Sequence, residues 1–241
     1  MTQLSKLGHA NSGKVRVLIV DDQPVVRERL RQLIGRESDM AVCGETDNPR
    51  IALQLVAMKK PNLIVTDLSL KESHGLELIK DLRILYPDVR ALVFSMCDES
   101  IYAERAIRAG ASGFVTKREP TKEVICAIRE ILSGEIYLSH RVTGDTVRRF
   151  FARSSARPSS DIAKLSDREL EVLEFIGHRR STREIAAALH VDVKTVATYR
   201  LRLKAKLGVT SVGELMIRAE ELLQEVRPTV RRSEPLAVRA R

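Results

Sequence analysis

Five short apolar runs punctuate the first half of the chain: VRVLIV (15–20), MAVCGE (40–45), NLIVTD (62–67), RALVFS (90–95) and SGFVTK (112–117). Runs of this length, bounded by polar residues, read as buried strands. Between them, apolar residues recur at three- and four-residue spacing. Val25, Val26, Leu30, Leu33 and Ile34 make one such face. Leu76, Ile79, Leu82 and Leu85 make another, and Val124, Ile125, Ile128, Ile131 and Leu132 a third. Strands alternating with helices of this length predict a parallel sheet covered on both faces. Five units over residues 15–134 predict a five-stranded, flavodoxin-like α/β domain. Sheets of this kind gather their ligands outside the carboxyl ends of the strands.

After residue 134 the pattern changes. Residues 135–152 predict a short amphipathic helix carrying Val142, Val147, Phe150 and Phe151, and ARSSARPSSDIAK (152–164) reads as a linker. Residues 165–224 predict an all-α domain of four helices. Ser166 with Glu169, Ser181 with Glu184, and Ser211 with Glu214 are capping-box pairs. Gly177, followed by His178-Arg179-Arg180, ends the first helix; Gly208 ends the third, which Asp192 begins. Leu170, Val172, Leu173, Ile176, Ile185, Ala186, Leu189, Leu215, Ile217 and Leu222 are the expected core. Residues 225–241 form a basic, proline-punctuated tail, expected to be disordered.

Charge sharpens this division. The chain of 241 residues carries a formal net charge of +9, but residues 15–140 sum to −1. A polyanionic partner would therefore meet the C-terminal part. Cys43, Cys97 and Cys126 are scattered without zinc-binding spacing and are expected to be reduced thiols. No apolar run approaches a membrane span and the N-terminus lacks the apolar core of a signal peptide, so a cytoplasmic protein with no membrane partner is expected.

The strand ends hold the candidate chemistry. The first strand runs into Asp21-Asp22, the third into Asp67, the fourth ends in Ser95 and the fifth in Lys117. In a parallel sheet these ends share one rim. Three carboxylates there make a hard, all-oxygen site suited to Mg2+, and the cation would relieve the repulsion between them. A carboxylate can also attack phosphorus to give an acyl phosphate, with a fixed cation and a hydroxyl to hold the phosphoryl oxygens.

This set resembles the receiver domain of two-component response regulators. The resemblance covers residues 15–134 and implies that Asp67 is the phosphoacceptor for a sensor histidine kinase. It implies that Asp21, Asp22, Asp67 and the backbone carbonyl of Ser69 hold magnesium, that Ser95 and Lys117 sense the phosphate, and that Phe114 is the aromatic switch. After the acceptor, Asp67-Leu68-Ser69-Leu70-Lys71-Glu72-Ser73-His74-Gly75 keeps the family's glycine but lacks its proline. The receiver would catalyse only its own phosphorylation and dephosphorylation, so the chain is read as a regulator and not as an enzyme of substrate turnover.

The second half carries its own signal. Ile185–Val191 and Lys194–Arg200 lay out a helix, a tight turn and a helix. The block LSDRELEVLEFI…STREIAAALHVDVKTVATYRLRLKAKLGV resembles the LuxR/NarL-type four-helix DNA-binding domain over residues 165–224. On a helical wheel Val196, Leu203 and Leu207 share the inner face, with Tyr199 and Arg200 at its edges. Lys194, Thr195, Thr198, Leu201, Arg202, Lys204 and Lys206 are the candidate contacts to double-stranded promoter DNA. The family often carries basic residues where Ala197 and Leu201 stand. Arg200, at the buried edge, is expected to pair with an acid such as Glu169 or Glu171, or with phosphate. Together the two resemblances imply a phosphorylation-controlled transcriptional regulator, dimeric when active.

Overall fold

The computed structural model describes residues 13–70, 74–138 and 161–226. The chain divides into two compact units, Met1–Thr143 and Gly144–Arg241. In the first, β1 (Val15–Val20), α1 (Pro24–Gly35), β2 (Met40–Thr46), α2 (Pro49–Lys59), β3 (Leu63–Thr66), α3 (Gly75–Leu85), β4 (Arg90–Ser95), α4 (Glu99–Ala109), β5 (Gly113–Thr116), α5 (Lys122–Leu132) and β6 (Tyr137–Leu138) follow one another. The strands form one parallel sheet in the order β2-β1-β3-β4-β5-β6. The alternating pattern is the one that the expected α/β domain requires.

Alternation along β1 assigns the two cores. Val17 and Ile19 face one side, with Leu63, Val65, Leu92 and Val115, and are covered by Leu30 and Ile34 of α1 and by Val124, Ile128 and Ile131 of α5. Leu18 and Val20 face the other side with Ile64, under Ala52 and Val56 of α2 and Leu78 and Leu82 of α3. Each such side chain, fully buried, contributes about 1.5–3 kcal/mol of transfer free energy. Val25 and Leu85 are exposed although both belong to the expected helical faces: Val25 is turned some 140° from Leu30, off the face that Val26, Leu30 and Ile34 bury, and Leu85 is the last residue of α3.

The sheet has a sixth strand where the sequence predicted the start of a helix. Tyr137 donates its N–H to Ser112, and Tyr137 and Leu138 pair with Gly113 and Phe114. Gly113 makes room for it: a Cβ there would lie 2.9 Å from the Tyr137 carbonyl oxygen. The Tyr137 hydroxyl donates to Glu123 at 2.9 Å, tying the strand to α5. The remainder of the expected helix, with Val142, Val147, Phe150 and Phe151, lies outside the described residues, as do most of the linker and of the tail.

Among the described residues the second unit begins with a 3₁₀ turn, Asp161–Lys164, inside the stretch read as linker. Ile162 is buried and Asp161 pairs with Arg218 at 2.8 Å, so this turn is part of the helical unit. Four helices follow: α6 (Asp167–Gly177), α7 (Thr182–Ala188), α8 (Val193–Leu207) and α9 (Val212–Val226). All three capping boxes close, each serine hydroxyl accepting from the glutamate N–H and each glutamate accepting from the serine N–H. Gly208 ends α8 at φ +69, a left-handed conformation that glycine adopts without a Cβ clash. Ile217 departs from the expected core. It is 61% exposed, since α9 buries Leu215, Ala219, Leu222 and Leu223, and a residue two positions from Leu215 is turned some 200° away. Among the described residues no helix is long and apolar enough to cross a membrane.

Glu169 closes the α6 box and also accepts from Lys206 at 2.6 Å. Burial pushes its carboxyl up, but the Lys206 ammonium and the Ser166 groups outweigh that and hold it below the usual range. A lowered folded-state value means stability that is present above the unfolded carboxyl range and lost as pH falls through the folded value. Ser166→Ala is expected to cost about 1 kcal/mol, read from native-state hydrogen exchange of the α6 amides in the full chain. The cost of Glu169→Gln in the same measurement should shrink as pH falls below the usual carboxylate range.

Candidate functional site

The parallel sheet delivers its strand ends to one rim, and the expected residues meet there. Asp21, Asp22 and Asp67 are all buried, and one carboxylate oxygen from each lies within 4.8 Å of the others. The Lys117 ammonium sits between two of them, 2.6 Å from Asp21 Oδ2 and 2.5 Å from Asp67 Oδ2. Asp67 Oδ1 faces the other way, accepting from the Ser95 hydroxyl at 2.6 Å and from the N–H groups of Leu68 at 2.6 Å and Ser69 at 3.3 Å. One oxygen of Asp67 is thus held by neutral donors while the other faces a cation.

The electrostatics follow from the crowding. Burial, and then the charge of Asp67, push the Asp21 carboxyl up to about 6, against the pull of Lys117. For Lys117, burial works against the charge, yet Asp67 and Asp21 hold the ammonium above its ordinary value. Asp21 is positioned from its own loop: its Oδ1 accepts from Gln23 N–H at 2.9 Å and its carbonyl from the Arg27 guanidinium at 2.7 Å. Three buried carboxylates against a single ammonium form an all-oxygen donor set with net negative charge, which fits a hard divalent cation.

The loop after Asp67 explains the retained glycine. A Cβ on Gly75 would overlap the Asp67 carbonyl oxygen, so only glycine lets α3 start against the Asp67 backbone. Ser69 pairs with His74 in an isolated antiparallel bridge, which closes the loop without the family's proline. The buried His74 caps α3, its Nδ1 accepting from Leu76 N–H at 3.2 Å, and stacks on Tyr102 of α4 at 6.2 Å. Phe114 is fully buried on β5. Cys97 is buried beside the site, its sulfur 3.9 Å from the Ser69 hydroxyl. Arg27, His74 and Tyr102 were not legible as site neighbours in the sequence: a lone arginine, histidine or tyrosine carries no spacing signal.

In the second unit, α7, a turn and α8 form the helix-turn-helix. Val196 and Leu203 of α8 are buried, while Lys194, Ala197, Thr198, Leu201, Arg202 and Lys206 are exposed; Thr195 and Lys204 are half-buried. Its cations are not equally available. Lys206 is engaged by Glu169 and by the Lys164 carbonyl at 3.2 Å, and Lys204 donates to the Thr210 carbonyl at 3.0 Å. Of the two partners expected for Arg200, acid or phosphate, the acid is not realised: its guanidinium donates to the Thr182 hydroxyl, while Arg168 occupies Glu171 and Lys206 occupies Glu169. The Arg202 guanidinium lies 5.9 Å from the Tyr199 ring centroid.

An acidic rim with a buried lysine on a parallel sheet, followed by a helix-turn-helix, defines a receiver joined to a DNA-binding module. Residues 17–129 match the response regulator receiver domain, and residues 163–219 match the bacterial regulatory proteins of the luxR family. The chain is 38% identical over 201 residues to the virulence-factor transcription regulator BvgA of Bordetella pertussis, covering 83% of this chain and 94% of that one. It is 32% identical to the oxygen regulatory protein NreC of Staphylococcus aureus, over 84% of this chain and 95% of that one. The structure of RcsB from Salmonella enterica serovar Typhimurium bound to promoter rprA shares the fold, with a TM-score of 0.55 at 23% identity, covering 86% of this chain and 99% of that chain. The chain therefore belongs to the LuxR-family response regulators, transcription regulators with a receiver and a LuxR-type DNA-binding domain.

Removing one partner of a buried ion cluster leaves the others uncompensated. Lys117→Met is expected to destabilise the first unit by about 3 kcal/mol at neutral pH, measured by urea denaturation, and added divalent cation should recover part of the loss. Unchanged stability would show that Lys117 does not hold the two aspartates together.

Proposed function

We propose that this protein is a phosphorylation switch in which Asp67 takes a phosphoryl group from a sensor histidine kinase and thereby controls promoter binding by the second unit. The observation that carries the reading is the Asp67 carboxylate itself. Its Oδ1 is held by Ser95 and two backbone N–H groups, and its Oδ2 by the Lys117 ammonium. A carboxylate oxygen bonds to phosphorus as the phosphohistidine P–N bond breaks, and the leaving imidazole takes up a proton. Lys117 and the Ser95 hydroxyl are placed to move from the carboxylate to the phosphoryl oxygens.

Asp21, Asp22 and Asp67, with the Ser69 carbonyl, are the residues that would hold magnesium. When bound, Mg2+ supplies charge neutralisation for the transferred group. Phe114, fully buried on β5, is the aromatic that responds when Ser95 shifts toward phosphate. The receiver's only chemistry is this gain and loss of its own phosphoryl group.

The second unit reads double-stranded promoter DNA through α8, in the cytoplasm, with Lys194, Thr195, Thr198, Leu201 and Arg202 toward the groove and Lys204 and Lys206 at its margin. Pairing of two chains on two half-sites supplies the affinity that one small domain lacks. The receiver runs from residue 15 through β6 at Leu138, beyond the expected limit of 134, and the DNA-binding domain from the 3₁₀ turn at Asp161, before the expected start at 165, to about residue 224, with a basic tail beyond.

Intact mass after incubation with magnesium and acetyl phosphate tests the switch. A gain of one phosphoryl group in the wild type and none in Asp67→Asn is expected, together with tighter DNA binding in the phosphorylated wild type alone. Equal DNA affinity in both proteins after confirmed phosphorylation would overturn phosphate control and leave a receiver that serves only as a docking module.

A further inference from the structure

The outward stripe of the recognition helix is apolar along its middle. Taken at 100° per residue, Ala197, Leu201, Lys194, Ala205, Thr198 and Arg202 form one continuous band on α8. Every one of them is exposed, opposite the buried Val196 and Leu203. Leu201 is 63% exposed, a large aliphatic side chain on the surface that a helix-turn-helix presents to the major groove. Ala197 stands one turn before it and Ala205 one turn after it.

Polar groups on this band are largely turned to other tasks. The Thr198 hydroxyl donates to the Lys194 carbonyl at 3.0 Å and is thus engaged within its own helix. Arg202 leans over the Tyr199 ring at the band's edge. Lys194 is the remaining cation within the band, near the helix start. The centre therefore offers methyl and methylene groups where a hydrogen-bonding reader would carry arginine, lysine, asparagine or glutamine. In the major groove the group that matches an apolar side chain is the thymine 5-methyl.

We infer that Leu201, flanked by Ala197 and Thr198, reads thymine 5-methyl groups, so that operator half-sites carry thymine opposite the middle of α8. This rests on the DNA-binding reading of the second unit and adds the chemistry of its specificity. Phosphate contacts by the basic residues supply affinity that does not depend on sequence, while Leu201 supplies discrimination by burying a methyl group.

The test uses the full chain, treated with magnesium and acetyl phosphate, and a duplex selected by it from a pool with a randomised central segment. Each thymine of the selected duplex is then replaced singly by deoxyuridine, which keeps base pairing and O4 and removes only the methyl. At one or two positions per half-site, wild-type affinity should fall about fourfold, the change equivalent to burying one methyl group. In Leu201→Ala the same replacements should have no effect, while the salt dependence of binding stays that of the wild type. Because the deoxyuridine arm needs no variant, it stands even if Leu201→Ala folds poorly. Selected duplexes that bind with no methyl sensitivity in the wild type, or with the same sensitivity in Leu201→Ala, would overturn the proposal and leave DNA binding intact. Failure to select any duplex would overturn both.

Discussion

The first unit is organised around an ammonium held between two buried carboxylates. Lys117 reaches Asp21 and Asp67 at hydrogen-bonding distance from the end of β5, and without it three acids would share a space less than 5 Å wide. Only a parallel sheet brings these groups together, because its strands all end on the same rim. The order β2-β1-β3-β4-β5-β6 places β1 and β3 side by side, so Asp21 and Asp67 are neighbours although 46 residues separate them in the chain. The two cores, one on each face, hold that order against the repulsion at the rim. The site is thus a place where folding stability and charge oppose each other, and a metal ion or a phosphoryl group can act on the balance.

Much of this arrangement was legible in the sequence, for identifiable reasons. Continuous apolar runs and period-3.6 patterns placed the strands and helices, and strand ends in a parallel sheet have a fixed meeting place, so Asp21, Asp22, Asp67, Ser95 and Lys117 could be assembled from the run of residues alone. The capping boxes worked equally well, since Ser166, Ser181 and Ser211 each act on a partner three residues away. What escaped was decided by contacts that leave no period. The two-residue strand at Tyr137 depends on the absence of a side chain at Gly113, seen only when the two are adjacent. Arg200 found Thr182 because the acids expected for it were already occupied by Lys206 and Arg168. Ile217 is apolar like the core residues around it, and only the contacts of α9 show that the inner face runs through Leu215, Ala219 and Leu222 instead.

The loop after Asp67 shows how one constraint can replace another. The family's proline is absent, yet the segment is still closed, by the Ser69–His74 bridge and by a histidine that both caps α3 and lies against Tyr102. Gly75 then lets the helix begin in contact with the Asp67 backbone. The Asp67 carboxylate is held at Oδ1 by Ser95 and the Leu68 and Ser69 N–H groups and at Oδ2 by Lys117, so few of its positions are compatible with all its neighbours.

The engagement of Lys206 by Glu169 has a consequence for the polyelectrolyte behaviour of the second unit. From residue 193 to 207 the helix carries five positive side chains and no acid, but one of the five is already neutralised within the protein. Cations condensed on the duplex are displaced only by charge that reaches the backbone from outside, so a tally of lysines and arginines overstates how many ions the duplex surrenders on association. The scaffold helix has taken one unit of charge for its own cohesion, and the complex is to that extent less sensitive to the ionic composition of its surroundings than its sequence suggests.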